Sequence, residues 1–226
     1  MHQPAVKTLK RTRDANRTRE AILDAAEQLF AERGPEATSF QAIGEAAGVS
    51  RGTPGYFFGS KEGLYRAVFD RAFTRVDAIL AEAYSEAETA EPREAIARIV
   101  SAYLSIPPVI VRLGEREALR GGTTVRDIKP RLDQLRSSLD RLEAMTGTAL
   151  KDVPAALLLI GIVALAWYPV AQSNTMLVAL GFDIDDPEFR EQYTRFVTDT
   201  LLFGLSREGR APEGERGLAL ARLVKS

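Results

Sequence analysis

Residues 48–65 read GVSRGTPGYFFGSKEGLY. Five glycines, a proline, hydroxyls at Ser50, Thr53 and Ser60 and the ammonium of Lys61 lie between two segments of strong helical periodicity. Small residues let backbone amides approach closely, and hydroxyls and a lysine donate to oxyanions, so the stretch suits a phosphate. A nucleotide-binding loop would follow a β-strand and read G-x-x-x-x-G-K-[ST]. Here the run is Gly55-x-x-x-Gly59-Ser60-Lys61, one residue short and with Ser and Lys inverted. The rival reading is the phosphate of a DNA backbone.

Working outward, the segment RTREAILDAAEQLFAERG places Ile22, Ala25, Ala26, Leu29 and Phe30 on one helical face and stops at Gly34-Pro35. Thr38 or Ser39 caps a short helix with Phe40, Ile43 and Ala47 inward. Gly48 then turns the chain, Val49 fills the corner, and Ser50 is placed to cap a third short helix. Ser60 caps a long fourth helix whose Leu64, Val68, Phe69, Ala72, Val76, Ile79, Leu80 and Ala83 form one buried stripe. Further helices are expected over 92–106, 108–120, 129–145, 153–172 and 187–205, separated by Pro, Gly and Asp clusters. Runs of β-branched residues are too short and scattered for sheets, so the expected fold is all-α. Two short helices joined by a glycine turn and braced on both sides match a helix-turn-helix, whose second helix enters the major groove. In that use Gly52 and Gly55 allow close approach, Ser39, Ser50 and Thr53 donate to phosphates, and Arg51 and Lys61 supply cations.

These residues resemble the DNA-binding domain of the TetR family of transcriptional regulators over 17–77. The resemblance is carried by Leu29-Phe30 with Gly34, Thr38-Ser39 with Ile43, Ala46-Ala47-Gly48-Val49-Ser50, and Phe58-Gly59-Ser60-Lys61 with Leu64. It implies that Gln41, Arg51, Thr53 and Phe57 touch bases or neighbouring backbone and that Ser39, Ser50 and Lys61 contact phosphates. Two departures stand out. Gly44 replaces the family's alanine, and Pro54-Gly55 replaces its leucine-tyrosine, with Tyr56 one place later. Pro54 has no amide to close the first turn on Ser50 and disfavours αR geometry at Thr53, so a short or irregular recognition helix is expected.

For the rest of the chain the resemblance implies a helical domain, residues 78–207, that binds a small-molecule effector and forms a homodimer. Tyr103, Arg112, Trp167, Tyr168 and Gln172 are the candidate effector contacts. The dimer would form through 153–172 and 187–205, with Leu158, Ile162, Phe189, Tyr193, Phe196, Val197 and Leu201 at its interface. Two-fold symmetry then matches a palindromic double-stranded DNA operator. The function implied is a repressor released by a small, mostly apolar effector. The alternatives are a regulator that answers to a protein partner or to no ligand, and an enzyme of helical fold.

Composition bears on these. The 226 residues are 45% hydrophobic with a net charge of −1, enough for a compact core plus a smaller domain. Residues 1–75 hold 12 Lys and Arg against 9 Asp and Glu, whereas the remainder holds 18 against 22, which points to a basic N-terminal unit. Residues 1–16 read as a basic disordered arm and 208–226 as a mobile tail. There is no cysteine, and His2, the one histidine, falls in the arm. Thiolate zinc sites, cysteine nucleophiles and histidine-dependent triads are thereby excluded, and no enzyme, cofactor or metal is expected. The carboxylates of Asp183, Asp185, Asp186 and Glu188 lack the register of a calcium loop and read as helix capping. The uncharged run 153–171 is interrupted by Pro154, Gly161 and Pro169, so it reads as a helix buried on two sides rather than a membrane span. The absence of cysteine fits a reducing cytoplasm, the expected location.

Overall fold

The computed structural model describes residues 5–87, 89–122, 124, 140 and 155–204, with the backbone alone for 5–12, 155 and 203. Among the described residues there are nine helices and no strand. They are α1 (Ala5–Arg33), α2 (Phe40–Ala46), α3 (Thr53–Phe58), α4 (Lys61–Ala87), α5 (Pro92–Leu104), α6 (Pro108–Leu119), α7 (Ala155–Ala171), α8 (Met176–Ala179) and α9 (Pro187–Gly204). The helix expected over 129–145 and the tail 208–226 lie outside the described residues. The chain divides into two compact units, one of residues 1–76 with 109–128, the other of 77–108 with 129–226.

In the first unit the expected apolar stripes form the core. Ile22, Ala26 and Phe30 of α1, Ile43 of α2, and Leu64, Tyr65, Val68, Phe69 and Ala72 of α4 are fully buried. Each large side chain contributes about 1.5–3 kcal/mol by leaving water. The Phe30 and Tyr65 rings meet edge-on with centroids 5.3 Å apart. A polar brace joins α1 to α4: the buried carboxylate of Glu27 accepts from Arg71 at 3.0 Å and Arg75 at 2.7 Å. Arg71 also donates to Glu20 and Asp24, so the buried acid is fully matched by cations.

The arm expected to be disordered is helical from Ala5 onward. No glycine or proline interrupts residues 5–33, so the helix continues through the basic sequence without a break. Thr18 returns its hydroxyl to the Asp14 carbonyl at 2.9 Å in this extension. α6, whose Ile110, Val111 and Leu113 are fully buried, also belongs to the first unit.

In the second unit α5, α7 and α9 pack against one another. Its core is Ile96, Ile99 and Val100 of α5, Leu158, Ile162, Ala166 and Val170 of α7, and Val197 and Leu201 of α9. Gly161 permits close approach of α7 and α9, since a Cβ there would lie 3.3 Å from Leu201. Pro169 stands inside α7 and has no N–H to give the Leu165 carbonyl one turn back. The Tyr193 hydroxyl of α9 donates to that carbonyl instead, at 2.8 Å. The acidic cluster before α9 does cap: Asp186 Oδ1 accepts from the Glu188 amide at 3.0 Å, Asp183 Oδ1 from the Asp185 amide at 2.9 Å. No single helix among the described residues is long and apolar enough to cross a membrane.

Candidate nucleic-acid interface

The interface is assembled from caps. Ser39 sits in extended conformation before α2, and its Oγ accepts from the Ala42 amide at 3.1 Å, leaving the hydroxyl hydrogen for a phosphate. Thr38 is buried and donates to the Gly34 carbonyl at 2.7 Å, fixing the approach to α2. Gly48 turns the chain at φ +67°, a conformation that L side chains rarely adopt. Gly44 has a different reason. A Cβ there would stand 3.0 Å from the Ser50 carbonyl oxygen and 3.2 Å from Arg51 Cα, so the turn packs directly on the α2 backbone.

α3 is only six residues long. Pro54, buried in its first turn, occupies a position where no amide is needed. Ser50, expected to cap α3, does not do so: Gly52 is the N-cap, and the Ser50 and Thr53 hydroxyls share a 2.7 Å hydrogen bond. Gly55 lies against the Phe40 ring, 3.4 Å from where a Cβ would be, and is half-buried. Tyr56 projects outward, 87% exposed, and meets the half-buried Phe57 edge-on. Phe58 lies beneath the Arg19 guanidinium, 5.1 Å from its ring centre.

At the start of α4 the Ser60 Oγ accepts from the Gly63 amide at 3.0 Å, and Lys61 Nζ donates to the Glu36 carbonyl at 3.3 Å. Ser39, Gln41, Ser50, Arg51, Gly52 and Tyr56 are exposed, while Thr53, Phe57 and Lys61 are half-buried. Gln41 is held by Glu45 at 3.0 Å. The nine residues therefore lie along one continuous segment, rich in donors, with six exposed and three half-buried.

Two residues of α6 and the turn after it, which carried no signal in the sequence, fix the back of this segment. Glu117 is buried; its carboxylate accepts from the Tyr65 hydroxyl at 3.1 Å and from the Thr124 amide. Burial, then the neighbouring Glu117, push the Tyr65 phenol well above its ordinary range, so it remains a neutral donor. Arg120 reaches Glu36, Glu62 and Glu117 and lies 4.5 Å over the Tyr65 ring. The Glu36 carboxyl is held below the usual range by its own backbone amide and by Arg120. Arg116 caps the end of α1, donating to the Glu32 carbonyl at 2.6 Å.

The other expected sites are placed as follows. Tyr103 is buried in the second unit, its phenol raised by burial and by Tyr84. Trp167 and Gln172 are half-buried and Tyr168 is exposed in that unit, whereas Arg112 belongs to the first. Of the expected dimer residues, Leu158, Ile162, Val197 and Leu201 are buried within the chain itself, Phe189 and Tyr193 are half-buried, and Phe196 is exposed. The open face of α7 consists instead of Leu157, Ile160, Ala164 and Tyr168.

Residues 22–68 match the family of bacterial regulatory proteins, tetR family, and residues 92–201 match the tetracyclin repressor-like C-terminal domain. The chain is similar to the HTH-type transcriptional repressor NicS of Pseudomonas putida, 26% identical over 89% of this chain and 98% of that one. A TetR family regulator from Marinobacter aquaeolei VT8 shares its fold with a TM-score of 0.66, at 23% identity over 84% of this chain and 97% of that one. LfrR from Mycobacterium smegmatis, solved in complex with proflavine, shares it with a TM-score of 0.55, at 19% identity over the same shares.

Proposed function

Because the chain belongs to the TetR family and is a DNA-binding transcriptional regulator, not an enzyme, we propose that it acts as a cytoplasmic repressor. In this reading a homodimer sets two reading segments on a palindromic operator and leaves it when a small, mostly apolar effector binds the helices beyond residue 77. The observation that carries it is the segment Ser39–Lys61, where capped helix starts, exposed hydroxyls and two cations follow one another on an open surface. Similarity to the repressor NicS supports repression, and the proflavine complex of LfrR supports a small-molecule effector. The open apolar stripe of α7, with Phe196 of α9, supports the dimer.

Selection from a random duplex library with the purified full-length chain tests the reading. An inverted repeat should be enriched and should bind more weakly as salt rises. Recovery of unrelated sequences, bound no better than bulk DNA, would refute it. For the effector, an apolar compound that raises the melting temperature should also release the selected duplex.

A further inference from the structure

Two carboxylates flank the lysine assigned to a phosphate. Glu36 lies in the turn before α2, and Glu62 follows Lys61 in the first turn of α4, with side chains 70% and 48% exposed. One guanidinium holds both: Arg120 donates through Nε to Glu36 at 2.9 Å and through Nη2 to Glu62 at 3.2 Å. Arg66 also approaches Glu62, at 3.7 Å. Arg120 is itself fixed from behind, by the buried Glu117 at 3.4 Å and by the Tyr65 ring. Lys61 makes its bond to the backbone carbonyl of Glu36, not to a carboxylate, and keeps further N–H donors for a ligand.

We propose that Arg120 is a positioning residue for DNA binding, which keeps Lys61 available to phosphate by holding the Glu36 and Glu62 carboxylates away from it. The proposal rests on the DNA-binding reading of Ser39–Lys61. Its physics is competition. Once Arg120 is removed, Lys61 is the neighbouring cation whose charge Glu36 already feels, and a carboxylate that takes the ammonium displaces the phosphate from it. The Glu62 carboxylate, left beside the same helix start with Arg66 alone at 3.7 Å, repels the phosphate directly. A carboxylate about 7 Å from a phosphate in water opposes it by roughly a factor of 2.7, so the pair amounts to roughly seven- to eight-fold for each subunit. Arg120 spans the two acids with separate nitrogens of a rigid planar fork, a geometry that the single ammonium of a lysine does not reproduce.

The test uses the full chain and the duplex selected with it. Wild type, R120A, R120K, E36Q/E62Q and R120A/E36Q/E62Q are titrated by fluorescence anisotropy at about 0.05 M and about 0.5 M KCl, where screening differs widely. R120A should bind roughly seven- to eight-fold more weakly per subunit at low salt and lose most of that deficit at high salt. In the E36Q/E62Q background the same substitution should change affinity less than about two-fold. R120K, which keeps the charge but not the fork, should behave like R120A, and it serves if R120A does not fold. An equal loss in both backgrounds would assign Arg120 to a bare charge or to the fold and overturn the proposal. So would wild-type affinity in R120K. A wild type that selects no duplex refutes the DNA-binding reading itself, and the proposal with it.

Discussion

Lys61 and Arg51 stand on the same surface but should fail differently. In the proposed reading Lys61, at the start of a long helix, is assigned to a backbone phosphate, so Lys61→Ala should weaken binding to every duplex alike and lower the logarithmic salt slope by about one per subunit. Arg51 is exposed in the turn that leads into α3. Arg51→Ala should cost about 1–3 kcal/mol at particular base pairs and little elsewhere, which titrations against single-mismatch duplexes will show. Wild-type affinity in both variants would remove the segment from DNA. Gly44 tests the turn itself. With the Ser50 carbonyl 3.0 Å from an added Cβ, Gly44→Ala should lower stability by about 1–3 kcal/mol in thermal unfolding and loosen DNA binding as Ser50 and Arg51 shift. The departure at Gly44 was visible in the sequence, but its cause was not, because the contact depends on how tightly the turn folds back over α2.

Three of the expected caps were legible at the level of helices because they are local, whereas Ser50 does not cap α3. Ser39, Ser60 and Asp186 each accept an amide two or three residues ahead, as their positions before apolar runs predicted. The N-terminal extension of α1 was not, since a dense run of exposed charge reads as disorder even where nothing breaks the helix. The helix expected over 153–172 holds Pro169 inside it and runs to Ala171, with α9 supplying the donor that the proline lacks. That bond gives a direct test. Tyr193→Phe keeps the ring and leaves the Leu165 carbonyl without its donor, so it should lower stability by about 1 kcal/mol in denaturant titration with an unchanged slope. No loss of stability would mean that water replaces the hydroxyl.

Association is the property of the whole molecule on which the proposed function depends. A helix apolar on every side does not announce which face turns inward, and the sequence pointed to Leu158 and Ile162, which the chain buries for itself. The face it leaves open is Leu157, Ile160 and Tyr168, each more than half exposed. Sedimentation at micromolar concentration should therefore give about twice the chain mass of 24.8 kDa. Ile160→Glu should yield a folded monomer, whereas Leu158→Glu should unfold the second unit; a monomeric wild type would remove both the interface and the palindrome. The contribution of Glu117 and Arg120 was equally beyond the sequence, because charged residues on a distant helix carry no sign of where they dock. A last consequence concerns synthesis. The ribosome releases α7 before α9, and until Tyr193 emerges the Leu165 carbonyl lacks this donor, so the second unit can close fully only once α9 has been made, after the helix-turn-helix has left the exit tunnel.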